Sequence, residues 1–87
     1  MPAPTMRTEN GMIYQVTSAV NDHVRPEEKN NYDQARNVIN QRATLLDAKS
    51  KLSSLLGQSD RKRILMGLKE RIESKLKHEN NAQKFSY

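Results

Sequence analysis

Arg61, Lys62 and Arg63 stand directly after Ser59 and Asp60 in the stretch SDRKRILMGL. A serine or aspartate at that place starts a helix, because its side-chain oxygen accepts a hydrogen bond from a backbone N–H that has no partner within the helix. The first turn is also the positive end of the helix dipole, where acids are favoured and each cation costs about 0.3 to 1 kcal/mol at low salt. Folding alone does not ask for three cations there. A phosphate would, since it meets free N–H groups and basic side chains together. The triple is therefore the first candidate anion site.

Two further cations stand out on a helical wheel. If residues 27 to 56 form one helix, Val38, Leu45, Leu52 and Leu56 make one apolar ridge, and Ala35, Ile39 and Leu46 make a second beside it. Arg42 and Lys49 project between the ridges, seven residues apart. Long basic side chains often lay their stems over apolar surface and reach water with their charge. In an antiparallel dimer, however, these two would repeat along one face and could meet the regularly spaced phosphates of a duplex. Lys69 and Arg71, farther along, complete the candidate nucleic-acid-binding set of Arg42, Lys49, Arg61, Lys62, Arg63, Lys69 and Arg71.

Catalytic and metal chemistry find little support. Asp22-His23 and His78 belong to different segments, there is no cysteine, and no serine sits in a nucleophile-elbow or phosphate-loop motif. A zinc site would need both histidines plus carboxylates. The reading is of a non-enzyme with no cofactor and no metal.

The elements that would carry these residues follow from periodicity. From Asn10 to Val24, the apolar residues Met12, Ile13, Val16, Ala19, Val20 and Val24 recur at helical steps. GMIYQV could also be a strand, but no second strand-like run exists to pair with it. Pro26-Glu27-Glu28 reads as a new helix start, with proline in the first turn and acids at the positive end. The next glycine, Gly57, follows Leu55-Leu56 and suits the residue just past a helix C-terminus. This predicts a second helix of about 45 Å at 1.5 Å per residue. A third helix, over 60 to 78, carries an apolar stripe of Ile64, Leu65, Leu68, Ile72 and Leu76. The expected fold is all-α, with three helices over about 10–24, 27–56 and 60–78. It comprises an N-terminal arm over 1–9, one helical domain over 10–78 and a frayed tail over 79–87.

Composition limits what such a chain can be. It has 87 residues, is 34% hydrophobic and 5% aromatic, and lacks tryptophan. Its mean hydropathy is -0.94. A lone core of this size is thin, and without disulfides self-association is the expected supplement. Two ridges on one helix imply two packing neighbours, so an elongated homodimer is expected, with Val38, Ile39, Leu45, Leu46, Leu52 and Leu56 at its interface. No apolar run is long enough to cross a bilayer, and the N-terminus lacks a secretory signal pattern, which predicts a cytoplasmic protein. Residues 1–44 hold five Lys/Arg and five Asp/Glu, whereas residues 45–87 hold ten and five, so the second half carries the whole +5 excess. A one-sided basic field suits nucleic acid, an anionic membrane surface or an acidic protein.

In layout, a chain of this size with a long central helix, short flanking helices and scattered Arg/Lys resembles the helical double-stranded-RNA-binding dimers of RNA viruses. Examples are the nodavirus silencing suppressors and the RNA-binding domain of the influenza non-structural protein. No sequence motif carries the resemblance, and no residues are transferred from either. Aromatics are few and none interleaves with the basic stretch, so stacking on single strands is disfavoured relative to duplex shape and phosphate contact. The leading expectation is a small basic helical protein that binds double-stranded nucleic acid, RNA favoured, as a viral or phage-type regulator or suppressor. The alternative is a helical interaction module, a regulator or inhibitor, that binds an acidic protein partner. Attachment to a membrane surface through the basic third helix ranks lower, because that helix lacks interfacial tryptophan or phenylalanine.

Overall fold

The computed structural model describes residues 8–84 and shows four α-helices, with no strand among those residues. The all-α expectation holds, but the helix count does not. α1 spans Asn10–Asn21. A 3-10 turn, Pro26–Glu28, leads into α2, Lys29–Ile39. α3 spans Leu45–Gln58 and α4 spans Arg63–Lys84. The expected start at Pro26 is present: Glu28 accepts the backbone N–H of Arg25 at 2.9 Å, closing the first turn as a capping box does.

The long central helix is two helices, broken at residues 40–44. Thr44 provides the stop and restart, because its hydroxyl accepts the N–H of Asp47 at 3.1 Å and so caps α3. The beginning of α1 satisfies much of the break's backbone. Asn10 donates through its amide to the carbonyls of Asn40 and Arg42, each at 2.8 Å. Glu9 accepts the N–H of Leu45 at 2.8 Å and donates its own N–H to the Ala43 carbonyl at 2.6 Å. Backbone groups at two helix ends, which would otherwise lack partners, are thereby paired within the chain.

With the break, the two ridges fold onto a core made inside one chain. Ile39, Leu45, Leu52 and Leu56 of the expected dimer interface are buried against α1 and α4 residues such as Ile13, Val16, Leu68 and Ile72. Val38 is half-buried and Leu46 remains 66% exposed. The second packing neighbour is thus supplied by the same chain, and the reason for inferring a dimer is removed. The layout resemblance to long-helix RNA-binding dimers loses its central helix as well.

Other boundaries also move, α1 ending at Asn21 where residue 24 was expected. Gly57 lies inside α3, and no glycine adopts a positive φ among the described residues. α4 begins at Arg63, three residues later than expected, and continues to Lys84 past the expected end at His78. Residues 1–7 of the expected arm and 85–87 of the expected tail lie outside the described residues. The apolar stripe of α4 is as expected, with Ile64, Leu65, Leu68 and Ile72 buried and Leu76 packed at its edge. α3 and α4 share the most extensive packing, α1 lies chiefly on α4, and α2 lies chiefly on α3.

Candidate interaction surface

The three cations of the RKR triple have different fates. Arg63 grips Glu28, 35 residues away, in a fork: Nε donates to Oε2 and Nη2 to Oε1, both at 2.8 Å. Nη2 also donates to the His23 carbonyl at 2.9 Å. Glu28 is 4% exposed. A buried carboxylate needs such a partner, because losing water would otherwise favour its neutral form. The Arg63 hydrogen bonds, then the Arg25 N–H, hold the Glu28 carboxyl down at about 2 against the opposing effect of burial. Glu28 in turn raises the Arg63 pKa. This cation therefore ties the start of α4 to the α1–α2 connection.

Arg61 and Lys62 precede α4 and are exposed. The Lys62 carbonyl accepts the Met66 N–H at 2.8 Å, which places Lys62 at the cap of the helix. Neither side chain has an ion-pair partner among the described residues.

The remaining expected site residues do not gather into one surface. Arg42 sits in the break, where Nε donates to the Val38 carbonyl at 3.3 Å and Nη1 lies 3.5 Å from Asp47. Lys49, on α3, pairs with Glu73 of α4 at 3.3 Å. Because the helix is interrupted between them, Arg42 and Lys49 no longer share one line. Lys69 and Arg71, two residues apart on α4, fall on opposite edges of that helix. Three of the seven candidates are thus engaged by carboxylates of the same chain.

A continuous feature does run along the seam between α1 and α4. Its larger section, about 510 Å³, has an apolar floor of Met12, Val16 and Ala19 and a rim that includes Arg71, Lys75 and His78. Gln15 accepts a hydrogen bond from Lys75 at 3.0 Å, bridging the two walls. A smaller section, about 180 Å³, adjoins it through the shared Arg71 and includes His23, Arg63 and Gly67. Among the described residues, no carboxylate lines either section. From Gly67 to His78 the groove follows roughly 16 Å of α4, about three turns.

Of the groove residues, only Arg63 and Arg71 belong to the expected site. Lys75 and His78 are legible in principle, since positions 71, 75 and 78 follow a helical i, i+4, i+7 edge beside the apolar stripe. What the sequence does not display is that α1 presents Met12 and Ala19 to that same edge. Among the described residues no cluster could hold a metal ion, and no helix is long and apolar enough to cross a membrane.

Fold and surface together define a small four-helix domain with a basic, apolar-floored groove. No family model, curated protein or solved structure matches the chain.

Proposed function

We propose that the protein is a helical interaction module that holds an acidic amphipathic helix of a partner protein in the α1–α4 groove. The observation that carries this reading is the pairing of an apolar floor with a cationic rim that holds no carboxylate among the described residues. A phosphate backbone has no use for Met12, Val16 and Ala19. A helix with apolar residues at i, i+4 and i+7 and acids on its flanks meets both parts of the groove. Complementary charge at the rim steers encounter and orientation, while apolar contact supplies much of the affinity. Fluorescence anisotropy with a leucine- and glutamate-patterned amphipathic peptide tests this. The same apolar pattern flanked by lysine should bind far more weakly. Equal binding of the two peptides would contradict the reading.

A second reading, phosphate contact with double-stranded nucleic acid, is favoured by Arg61 and Lys62. Both are exposed, both lack an ion-pair partner among the described residues, and both stand at the positive end of the 22-residue α4. Lys69 and Arg71 would extend that contact along either edge of the helix. A gel-shift panel of duplex RNA, duplex DNA and single strands decides it. On this reading, charge reversal at Arg61 and Lys62 abolishes salt-sensitive binding while the fold persists. Of the residues expected at a dimer interface, Leu46 is the large apolar side chain left exposed. A homodimer through that expected interface would have to use it, which sedimentation of Leu46→Glu tests.

A further inference from the structure

The geometry points to a second ligand site, a mononucleotide-sized polar cleft between α1 and α2 that is separate from the basic groove. Ile13, Val16 and Val20 of α1 share the buried core with Tyr32, Ala35 and Ile39 of α2. Above that core, polar bridges join the two elements at the floor of a cleft of about 540 Å³. Tyr32, 2% exposed, donates its hydroxyl to the Thr17 carbonyl at 2.6 Å. The Thr17 hydroxyl lies 3.1 Å from the Tyr14 carbonyl and 3.2 Å from Asn40 Oδ1. Asn40 is braced from behind by Asn10 through its carbonyl. The floor is therefore fixed before any ligand arrives, which reduces the ordering cost of binding.

The cleft wall carries the recognition chemistry. Asn21, Asn37, Asn40 and Gln41 offer carboxamides that both donate and accept, the pairing required by the edge of a nucleobase or by ribose hydroxyls. Tyr14, 51% exposed, contributes an aromatic ring to the lining. Among the described residues, Arg36 is the cation lining the cleft and no carboxylate lines it, while Asp22 and Asp33 lie near enough to act on the Tyr32 hydroxyl. Its guanidinium lies 5.8 Å from the centroid of the Tyr32 ring and has no ion-pair partner among the described residues. An arginine held over a ring keeps its planar fork oriented, and a fork of five N–H donors suits a phosphate. A neutral sugar would leave that charge unused, and a divalent cation would find no carboxylate ligand. A base on Tyr14, amides on its polar edge and a phosphate on Arg36 use most of the lining.

Nuclear magnetic resonance titration of the full chain with adenosine and uridine monophosphates tests the site. The expected result is saturable shifts at the backbone and carboxamide signals of Asn21, Arg36, Asn37, Asn40 and Gln41. Adenosine or inorganic phosphate alone should give the same pattern only at much higher concentration. Arg36→Gln should weaken the nucleotide by roughly tenfold or more. Asn37→Ala with Gln41→Ala, both exposed and outside the core, should also weaken it while the helical circular dichroism is unchanged. Three results would overturn the proposal: no shifts at about 5 mM nucleotide, where millimolar affinity would still register; shifts confined to the α4 cations; or nucleotide binding unaltered by both variants.

Discussion

Arg63 and Glu28 meet across 35 positions of sequence, and their geometry decides what each can do. Arg63→Lys keeps the charge but loses the fork that serves both carboxylate oxygens and the His23 carbonyl. It should therefore lower the melting temperature, whereas Arg61→Lys beside it should not. Thermal unfolding followed by circular dichroism compares the two. The pair also sets a pH dependence. Glu28 is held at about 2 in the folded chain against 4.5 as its ordinary value, so its contribution is complete above about pH 4.5 and fades as pH falls toward 2. In Glu28→Gln, the melting temperature should be lower at neutral pH and should fall less steeply over that acid range. The sequence presents RKR as one unit because it shows the dipole mismatch of all three cations. It cannot show that a carboxylate from the α1–α2 connection comes to one of them and leaves Arg61 and Lys62 without an ion-pair partner among the described residues.

At the scale of elements, the break at residues 40–44 separates the expected fold from the observed one. Its signal is local and readable: Thr44-Leu45-Leu46-Asp47 places a capping hydroxyl three residues before an acid. Without proline or glycine in the segment, continuous helical periodicity outweighs that cue. The partners at Glu9 and Asn10 are long-range and invisible to any periodicity. Thr44→Ala should cost about 0.5 to 2 kcal/mol in denaturant unfolding. The stripe of α4 is legible because its burial follows helical spacing without interruption. Gly67 within α4 faces open space, with no atom within 4 Å of where a side-chain methyl would stand, so it is not a site of close helix approach. Gly67→Ala should accordingly stabilise the protein by about 0.5 to 1 kcal/mol, measured the same way.

At the scale of the whole molecule, the +5 charge belongs to the sequence, and the fold leaves that total unchanged while pairing Arg42, Lys49 and Arg63 with carboxylates of the same chain. The basic excess of residues 45–87 is visible in the sequence, but its distribution is not. Half of the groove comes from α1, whose own half of the chain is electrically balanced. Apolar floor and basic rim meet only after α1 and α4 pack together. Binding in that groove should weaken with salt, since exposed charges are screened beyond about 10 Å at 0.1 M. It should persist in part, because contacts with Met12, Val16 and Ala19 are not ionic.

Peptide affinity across Arg71→Glu with Lys75→Glu is the most direct measurement of the proposed groove. The doubly reversed protein should retain the helical content and melting behaviour of the parent. It should bind the acidic amphipathic peptide at least about tenfold more weakly, a difference of about 1.4 kcal/mol. Unchanged affinity for that peptide in a folded variant would contradict the proposed function.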